Sequence, residues 1–303
     1  MRDRDSLHRF LFEQFPIRGH LVHLDASWQA LIEHRDYPAA IRGVLGEAVA
    51  AALLLAATIK FDGVLSLQLQ GDGPVHLLLV QCTSGLGVRG LARYREGDYS
   101  GERSISDLLG SGKLTVTLET DEGAQRYQGI VPITGGRLAE SLQLYFENSE
   151  QLPTRLWLQS EAAGASGMLL QKLPAGSASA TQPVADPATV DDAWRRVQLI
   201  GDTLTPEELR TLSDQQILHR LFNEDDVRLF EPAPVFFRCR CSRERVSGML
   251  QGLGEQETRS ILTERGAVEV RCDFCNRAYV FDAVDVAQLF NTGVPADSGS
   301  SVH

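Results

Sequence analysis

Two close pairs of cysteines, Cys239-Arg-Cys241 and Cys272-Asp-Phe-Cys275, lie within 37 positions and are separated by 30 residues. A CxxC pair lets two thiolates face one ion from a tight turn, and a second pair completes a tetrahedron. Four thiolates with no vacant position describe a closed zinc site rather than a catalytic one. Between the pairs the chain reads as two short helices, Ser242 to Leu250 and Glu255 to Glu264, with Gly266 as a stop. A compact metal-held domain over residues 236–290 follows, with Cys239, Cys241, Cys272 and Cys275 as the ligands of one zinc ion.

CxC is the unusual half, because structural zinc pairs are mostly spaced CxxC or wider. Cysteines this close in sequence are each other's nearest oxidation partner once a metal is lost. Arg238, Arg240, Arg243, Arg245 and Arg271 surround the ligands, and positive charge favours thiolate, the nucleophilic form. The same arginines also serve merely to offset the negative charge of a four-thiolate zinc site. Residues 236–290 carry eight basic and eight acidic side chains, so the domain is not basic as a nucleic-acid-reading ribbon would be. Spacing alone leaves a redox sensor and a structural staple both open.

The whole chain, 303 residues and 33.3 kDa, is long enough for two domains. Its net charge of −11 disfavours non-specific nucleic-acid binding and anionic-membrane binding, which need positive surface. The longest apolar run, Ala48 to Ile59, has twelve residues. As a helix it reaches about 18 Å against about 30 Å of hydrocarbon, so it reads as a core helix. Met1-Arg-Asp-Arg-Asp5 has no apolar h-region behind it, so no secretory signal is expected and the expected compartment is the cytoplasm. Thiols stay reduced there, which favours metal ligation or redox chemistry over structural disulfides.

The first half reads as α+β. Pro38 suits the first helical position of a helix running to about Ile59. Leu65, Leu67 and Leu69 alternate with polar residues in Val64–Gln70, the period of a half-buried strand. Gly71-Asp-Gly-Pro74 is turn chemistry, so Val75–Val80 returns as the second strand of a hairpin. Similar alternation at Lys113–Glu119 and Arg155–Gln159 favours an antiparallel sheet with packed helices. This core domain spans residues 1–173. Pro174–Pro183 lacks large apolar residues and reads as a flexible linker. The acidic stretch that follows carries 11 acids against 5 arginines from Val184 to Val235. Thr205-Pro-Glu-Glu208 and Ser213-Asp-Gln-Gln216 fit capping boxes for short amphipathic helices that need a partner surface. Residues 174–235 are therefore a flexible, then helical, acidic linker, and residues 291–303 a disordered tail.

Other motifs carry little. Cys82 follows an apolar strand and reads as a buried, inert thiol. Gly85-Leu-Gly-Val-Arg-Gly90 matches GxGxxG, but the residues after it suit a strand, whereas dinucleotide binding needs a helix there. Gly110-Ser-Gly-Lys113 lacks the rest of a P-loop. His20 and His23 have no neighbouring carboxylate or cysteine in sequence to complete a ligand set. No HExxH pair or GxSxG elbow is present, so neither a catalytic residue nor a cofactor-binding motif is assigned.

The chain resembles the redox-regulated 33 kDa heat shock chaperone family of bacteria (heat shock protein 33). The matching stretches include Gly46–Ala57, Leu67–Pro74, Ser149–Arg155, Ile217–Phe222, Asp226–Pro232, Cys239–Arg245, Cys272–Cys275 and Tyr279–Asp282. The resemblance implies an ATP-independent holdase and no enzyme. It implies that the four cysteines bind zinc while reduced. Oxidation then joins Cys239 to Cys241 and Cys272 to Cys275, the C-terminal region unfolds, and the core dimerises and binds unfolding clients. It implies no nucleic-acid, membrane or nucleotide partner.

A physical reason for such a switch is at hand. A domain of about 55 residues has a small core, so a structural zinc must supply much of its folding free energy, about 10–16 kcal/mol. Oxidising the ligands removes that contribution. The acidic helices would then lose their docking partner and free their apolar faces (Trp194, Val197, Leu199, Ile200; Leu218, Leu221, Phe222) together with the core surface beneath them. Three rivals remain at this point. A constitutive zinc-stapled adaptor predicts that oxidation destroys activity. A thiol oxidoreductase using Cys272 and Cys275 predicts turnover of a dithiol substrate. A zinc-dependent RNA binder predicts retention of RNA at low salt.

Overall fold

The computed structural model describes residues 4–33, 35–101, 103–120, 126–174 and 186–291. The flexible linker expected at Pro174–Pro183 lies, beyond Pro174, outside the described residues, as does the tail from Thr292 onward. The chain forms two compact units, Met1–Arg238 and Cys239–His303.

The first unit begins with strands β1 (Ser6–Phe12) and β2 (Ile17–Leu24) and helices α1 (Ala26–Ile32) and α2 (Ala39–Thr58). Strands β3 (Gly63–Gly71), β4 (Val75–Thr83) and β5 (Gly87–Tyr94), helix α3 (Ile105–Leu109), and strands β6 (Gly112–Thr120) and β7 (Arg126–Pro132) come next. Helix α4 (Leu138–Tyr145) leads to β8 (Thr154–Ser160) and β9 (Ala165–Lys172). Three helices, α5 (Pro187–Gly201), α6 (Pro206–Thr211) and α7 (Asp214–Phe222), then precede the short strands β10 (Val227–Leu229), β11 (Ala233–Pro234) and β12 (Phe236–Phe237). One sheet has the order β10-β1-β2-β9-β8, with β11 also on β1; the other runs β12-β5-β4-β3-β6-β7. Among the described residues every pairing is antiparallel except β12 with β5.

The alternating leucines set the second sheet. Leu67 stands opposite Val80 on β4 and Val116 on β6, and all three are buried. Helix α2 packs against strands of both sheets, which is why it is apolar all round and rich in alanine. At 20 residues it is long and apolar enough to cross a membrane, yet 72% of its most apolar stretch is buried inside the fold. Pro38 is not its first helical residue, as expected, but the cap before it, with φ −53° and ψ 149°. An extended ψ suits the cap, and the missing N–H is one the first turn does not use.

Helices α5 to α7 cover the other face of the first sheet. Phe10, Phe12, Ile17, Leu21, Met168 and Leu170 point out of the strands into a second core, closed by Trp194, Val197, Leu209, Ile217, Leu221 and Phe222. In α5 the buried stripe is Val190, Ala193, Trp194, Val197 and Gly201. Leu199, expected on this apolar face, is 64% exposed, because it falls between the i, i+3, i+4, i+7 positions. Both capping boxes form, at Thr205–Glu208 and Ser213–Gln216. The end of α5 approaches β8 so closely that a Cβ on Gly201 would lie 2.6 Å from the Trp157 ring. Asp202 then accepts hydrogen bonds from Arg155 Nη2 (3.0 Å) and Trp157 Nε1 (3.1 Å).

The second unit holds α8 (Arg243–Leu253), α9 (Glu255–Arg265), a hairpin of β13 (Val268–Arg271) and β14 (Ala278–Phe281), and α10 (Ala283–Asn291). Ser242 caps α8, and Gly266, in left-handed conformation, ends α9. Its core is small: Val246, Leu250, Val268, Tyr279, Phe281 and Val286.

Candidate metal and redox centre

The two cysteine pairs arrive from different local structures. Cys239 and Cys241 lie just before α8, where Arg245 Nη1 donates to the Arg240 carbonyl (2.8 Å) and so fixes the short turn between them. Cys272 to Cys275 forms the turn of the β13–β14 hairpin. There Asn276 N–H donates to Cys272 O (2.8 Å), Cys272 N–H donates to Arg277 O (3.0 Å), and Asn276 takes a left-handed φ of 54°. This pair stands in a turn between antiparallel strands, not at a helix N-terminus as in thioredoxin-like sites.

The four Sγ atoms lie within 4.8 Å of one another and can hold a metal ion. Cys239 and Cys241 sulfurs are 3.4 Å apart, Cys239 and Cys272 3.6 Å, and Cys241 and Cys275 3.4 Å. Zinc–sulfur bonds of about 2.3 Å in a tetrahedron require separations of about 3.8 Å, so these three separations need open only slightly for the donor set to take such an ion. The geometry does not select a disulfide pairing, since Cys241 is as near Cys275 as Cys239.

The thiols differ electrostatically. Burial pushes Cys239 up. Burial and a hydrogen bond with Cys241 push Cys275 up to about 12. Burial also acts upward on Cys241, but hydrogen bonds from Tyr279 Oη (3.1 Å) and the other thiols outweigh it and bring this thiol down to about 7. Of these three thiols only Cys241 is brought down. Cys275 is buried, while the other three are half-buried and within reach of a small oxidant.

Arginines expected around the ligands are partly committed elsewhere. Arg243 donates to Val280 O (2.9 Å), pairs with Asp285 (2.8 Å) and lies 4.2 Å over the Phe281 ring, while Arg271 pairs with Glu269. The guanidinium whose charge couples to Cys241 and Cys275 is Arg277, which also interacts with Tyr279. Neither Arg277 nor Tyr279 stands out in sequence as a site residue. The available signal is their place within seven residues of Cys272, Arg277 just before and Tyr279 on the strand that closes the hairpin.

Cys82 is fully buried and pushed up to about 12 by that burial, an inert thiol as expected. The GxGxxG stretch runs into β5, so a strand and not a helix follows it. His20 and His23 lie on a strand, where a spacing of three sends them to opposite faces. His20 is buried, and burial, with Arg18 and Arg9 adding, lowers it to about 3. His23 meets a carboxylate remote in sequence: its Nε2 is 2.7 Å from Asp214 Oδ1, and His8 Nδ1 contacts Asp214 Oδ2.

An α+β unit with a helically covered sheet, followed by a small unit built round four thiols, is the class of protein these features define. The chain belongs to the Hsp33 family, whose model, described as Hsp33 protein, matches residues 5–282. It is 49% identical to the 33 kDa chaperonin of Methylobacillus flagellatus over 296 residues, 97% of each chain. It is also 49% identical to that of Nitrosococcus oceani over 303 residues, the whole of both. The crystal structure of a 33 kDa chaperonin (heat shock protein 33 homolog) from Thermotoga maritima superposes with a TM-score of 0.79 at 22% identity, covering 94% of this chain and 98% of that one. That likeness bears on the fold alone.

Proposed function

We propose that this protein is a redox-regulated chaperone, a holdase that binds unfolding proteins without ATP and catalyses no reaction. The observation that carries the reading is the convergence of four thiols in a unit whose own core is six buried side chains. Cys239, Cys241, Cys272 and Cys275 are the residues that would hold zinc, which would supply folding free energy rather than Lewis-acid chemistry.

In this reading a two-electron oxidant such as hypochlorous acid reaches the half-buried sulfurs Cys239, Cys241 and Cys272. Two electrons leave each pair, and the sulfurs close as Cys239–Cys241 and Cys272–Cys275, the pairing suggested by nearness in sequence and by the family. Disulfide sulfurs no longer ligate as thiolates, and a core this small does not hold the unit. Helices α5 to α7 then leave the first sheet and expose Phe10, Phe12, Ile17, Leu21, Met168 and Leu170 to clients. The active form is a homodimer in the cytoplasm, with no nucleic-acid, nucleotide or membrane partner. The chain divides functionally into a client-binding and dimerising core (1–173), an acidic linker (174–235), a redox-switch domain (236–290) and a tail (291–303). The net charge of −11 keeps the exposed form soluble.

Light scattering of a chemically unfolded client tests this, comparing the reduced, zinc-loaded protein with the same sample after hypochlorite while a chelating dye reads released zinc. Suppression of aggregation should appear only as zinc is released. Suppression lost on oxidation would instead make the centre a structural staple of a constitutive adaptor.

A further inference from the structure

The core beneath α5 to α7 is apolar except at one end, where a carboxylate and two imidazoles meet. His8 on β1 and His23 on β2 lie on the same sheet face as Phe10, Phe12 and Leu21, and the β1–β2 register sets them diagonally across the strand pair. Asp214, the first residue of α7, lies between them and is only 7% exposed. His8 Nδ1 contacts one of its oxygens and His23 Nε2 the other, the second at 2.7 Å, and among the described residues neither oxygen accepts a hydrogen bond from a further group.

The surrounding charges are mostly matched among themselves. Arg4 pairs with Asp25 at the start of α1, and Arg210 of α6 pairs with Glu161. From α7 itself His219, Gln215 and Gln216 face the same cleft, and β10 contributes only Leu229. That cleft, about 740 Å³, gives water a path to the triad. Other ion pairs of the segment, such as Lys172–Asp191 and Arg155–Asp202, have at least one partner well exposed and add little to docking.

A buried carboxylate must recover the hydration it loses, and apolar side chains of similar volume often hold such a site as well or better. Breaking one partner of the cluster, by contrast, leaves buried polar groups unmatched. We infer that His8, Asp214 and His23 form a polar latch which fixes α7 in register on the sheet and keeps its docking weaker than an all-apolar interface would be, so setting how readily the covering segment is released. This rests on the reading that release of that segment exposes the client-binding face.

The test uses the full-length, reduced, zinc-loaded protein. Hydrogen exchange of the Ile217–Phe222 amides reports the latch independently of any chaperone assay, and retained protection of β3 and β6 certifies the fold. Asp214→Leu should speed α7 exchange about 10- to 100-fold, and the milder Asp214→Asn should act in the same direction. The triple variant His8→Leu/His23→Leu/Asp214→Leu should slow it about tenfold or more, and should bind client poorly after hypochlorite although zinc is released as in wild type. Exchange in the triple variant as fast as wild type or faster overturns the latch. Failure of the wild type itself to gain client binding on oxidation overturns the underlying reading, while the exchange rates still decide the latch.

Discussion

Phe222 at the end of α7 provides the sharpest test of whether the covering helices open separately from the sheet beneath them. Its ring is 2% exposed and meets Phe12 edge-on at 5.0 Å between centroids, with Phe10 at 6.5 Å. Truncating a buried Phe to Ala costs about 3–5 kcal/mol, because the contacts are lost and the cavity only partly collapses. Both neighbouring rings belong to β1, whose opposite face packs through Leu7 into the larger core around α2, so the sheet cannot follow α7 to fill the gap. If α7 opens as a local unit, the whole cost falls on its docking. At about 1.4 kcal/mol per decade the open population of Phe222→Ala rises by about two to nearly four orders of magnitude. Native-state hydrogen exchange of the reduced, metal-loaded protein should show that acceleration in Ile217–Phe222 while β3, β4 and β6 keep wild-type protection. Client binding before any oxidation should rise with it. Equal acceleration throughout the first unit would refute the reasoning, for the helices would then open only when the whole unit unfolds.

Removing the metal with a chelator should melt α8 to α10 and the β13–β14 hairpin while leaving the two large sheets folded; far-ultraviolet circular dichroism with amide exchange would record both. Tyr279→Phe keeps the core ring but deletes the hydrogen bond to Cys241, so zinc affinity measured by dye competition should fall about 10- to 100-fold. Cys82 should resist alkylation at pH 8 until the protein is denatured, whereas the other four thiols should react once metal is chelated. Burial raises the Asp214 carboxyl, but His23 and His8 outweigh it and hold the group at about 2. Its folded value is thus depressed: the stabilisation is present above the unfolded value near pH 4 and is lost as pH falls toward 2, so α7 exchange should quicken over that window and Asp214→Asn should flatten the dependence.

Patterns with a short period were legible in the sequence. Alternating leucines marked β3, the polar turn at Gly71–Pro74 marked the β3–β4 hairpin, and the Thr205 and Ser213 capping boxes marked α6 and α7. The four-cysteine cluster was legible for the same reason, since each pair is local and only one long-range closure was required. Helix α2 extends well beyond its apolar run because its first turns, with Arg42 and Gly43, are only half-buried, and burial rather than propensity sets where such a helix starts to look apolar. The His8–Asp214–His23 cluster gave no local signal: two strands and a helix about 190 residues away meet only in the tertiary fold. Arg277 and Tyr279 carry no local signal because their effect on the thiols depends on which way the hairpin turns them.

The four thiols and the covered apolar face belong to different compact units, so in the proposed switch the chain itself is the available link between them. Cys239 follows directly on β12, whose pairing with β5 spans only Phe236 and Phe237, extended by Arg238 N–H donating to Val88 O at 2.9 Å. Preceding it are β11, two residues long, and β10, three residues long, both paired along β1 at the edge of the first sheet. Val235, buried and bonded through its N–H to Asp5 O (2.9 Å), is the one deep anchor in this stretch. While the small unit is folded, chain fluctuations at residue 239 are limited. When it melts, a freely moving coil is attached to a run of strands too short to resist fraying on their own. Fraying from that end reaches β12, β11 and β10 in turn and then α7, the helix whose hold on the sheet combines the Phe222 contacts with the costly burial of Asp214. A covering segment that ends in short edge strands, with a buried polar contact at the start of its last helix, is suited to release from its C-terminal end, the end next to the oxidisable thiols.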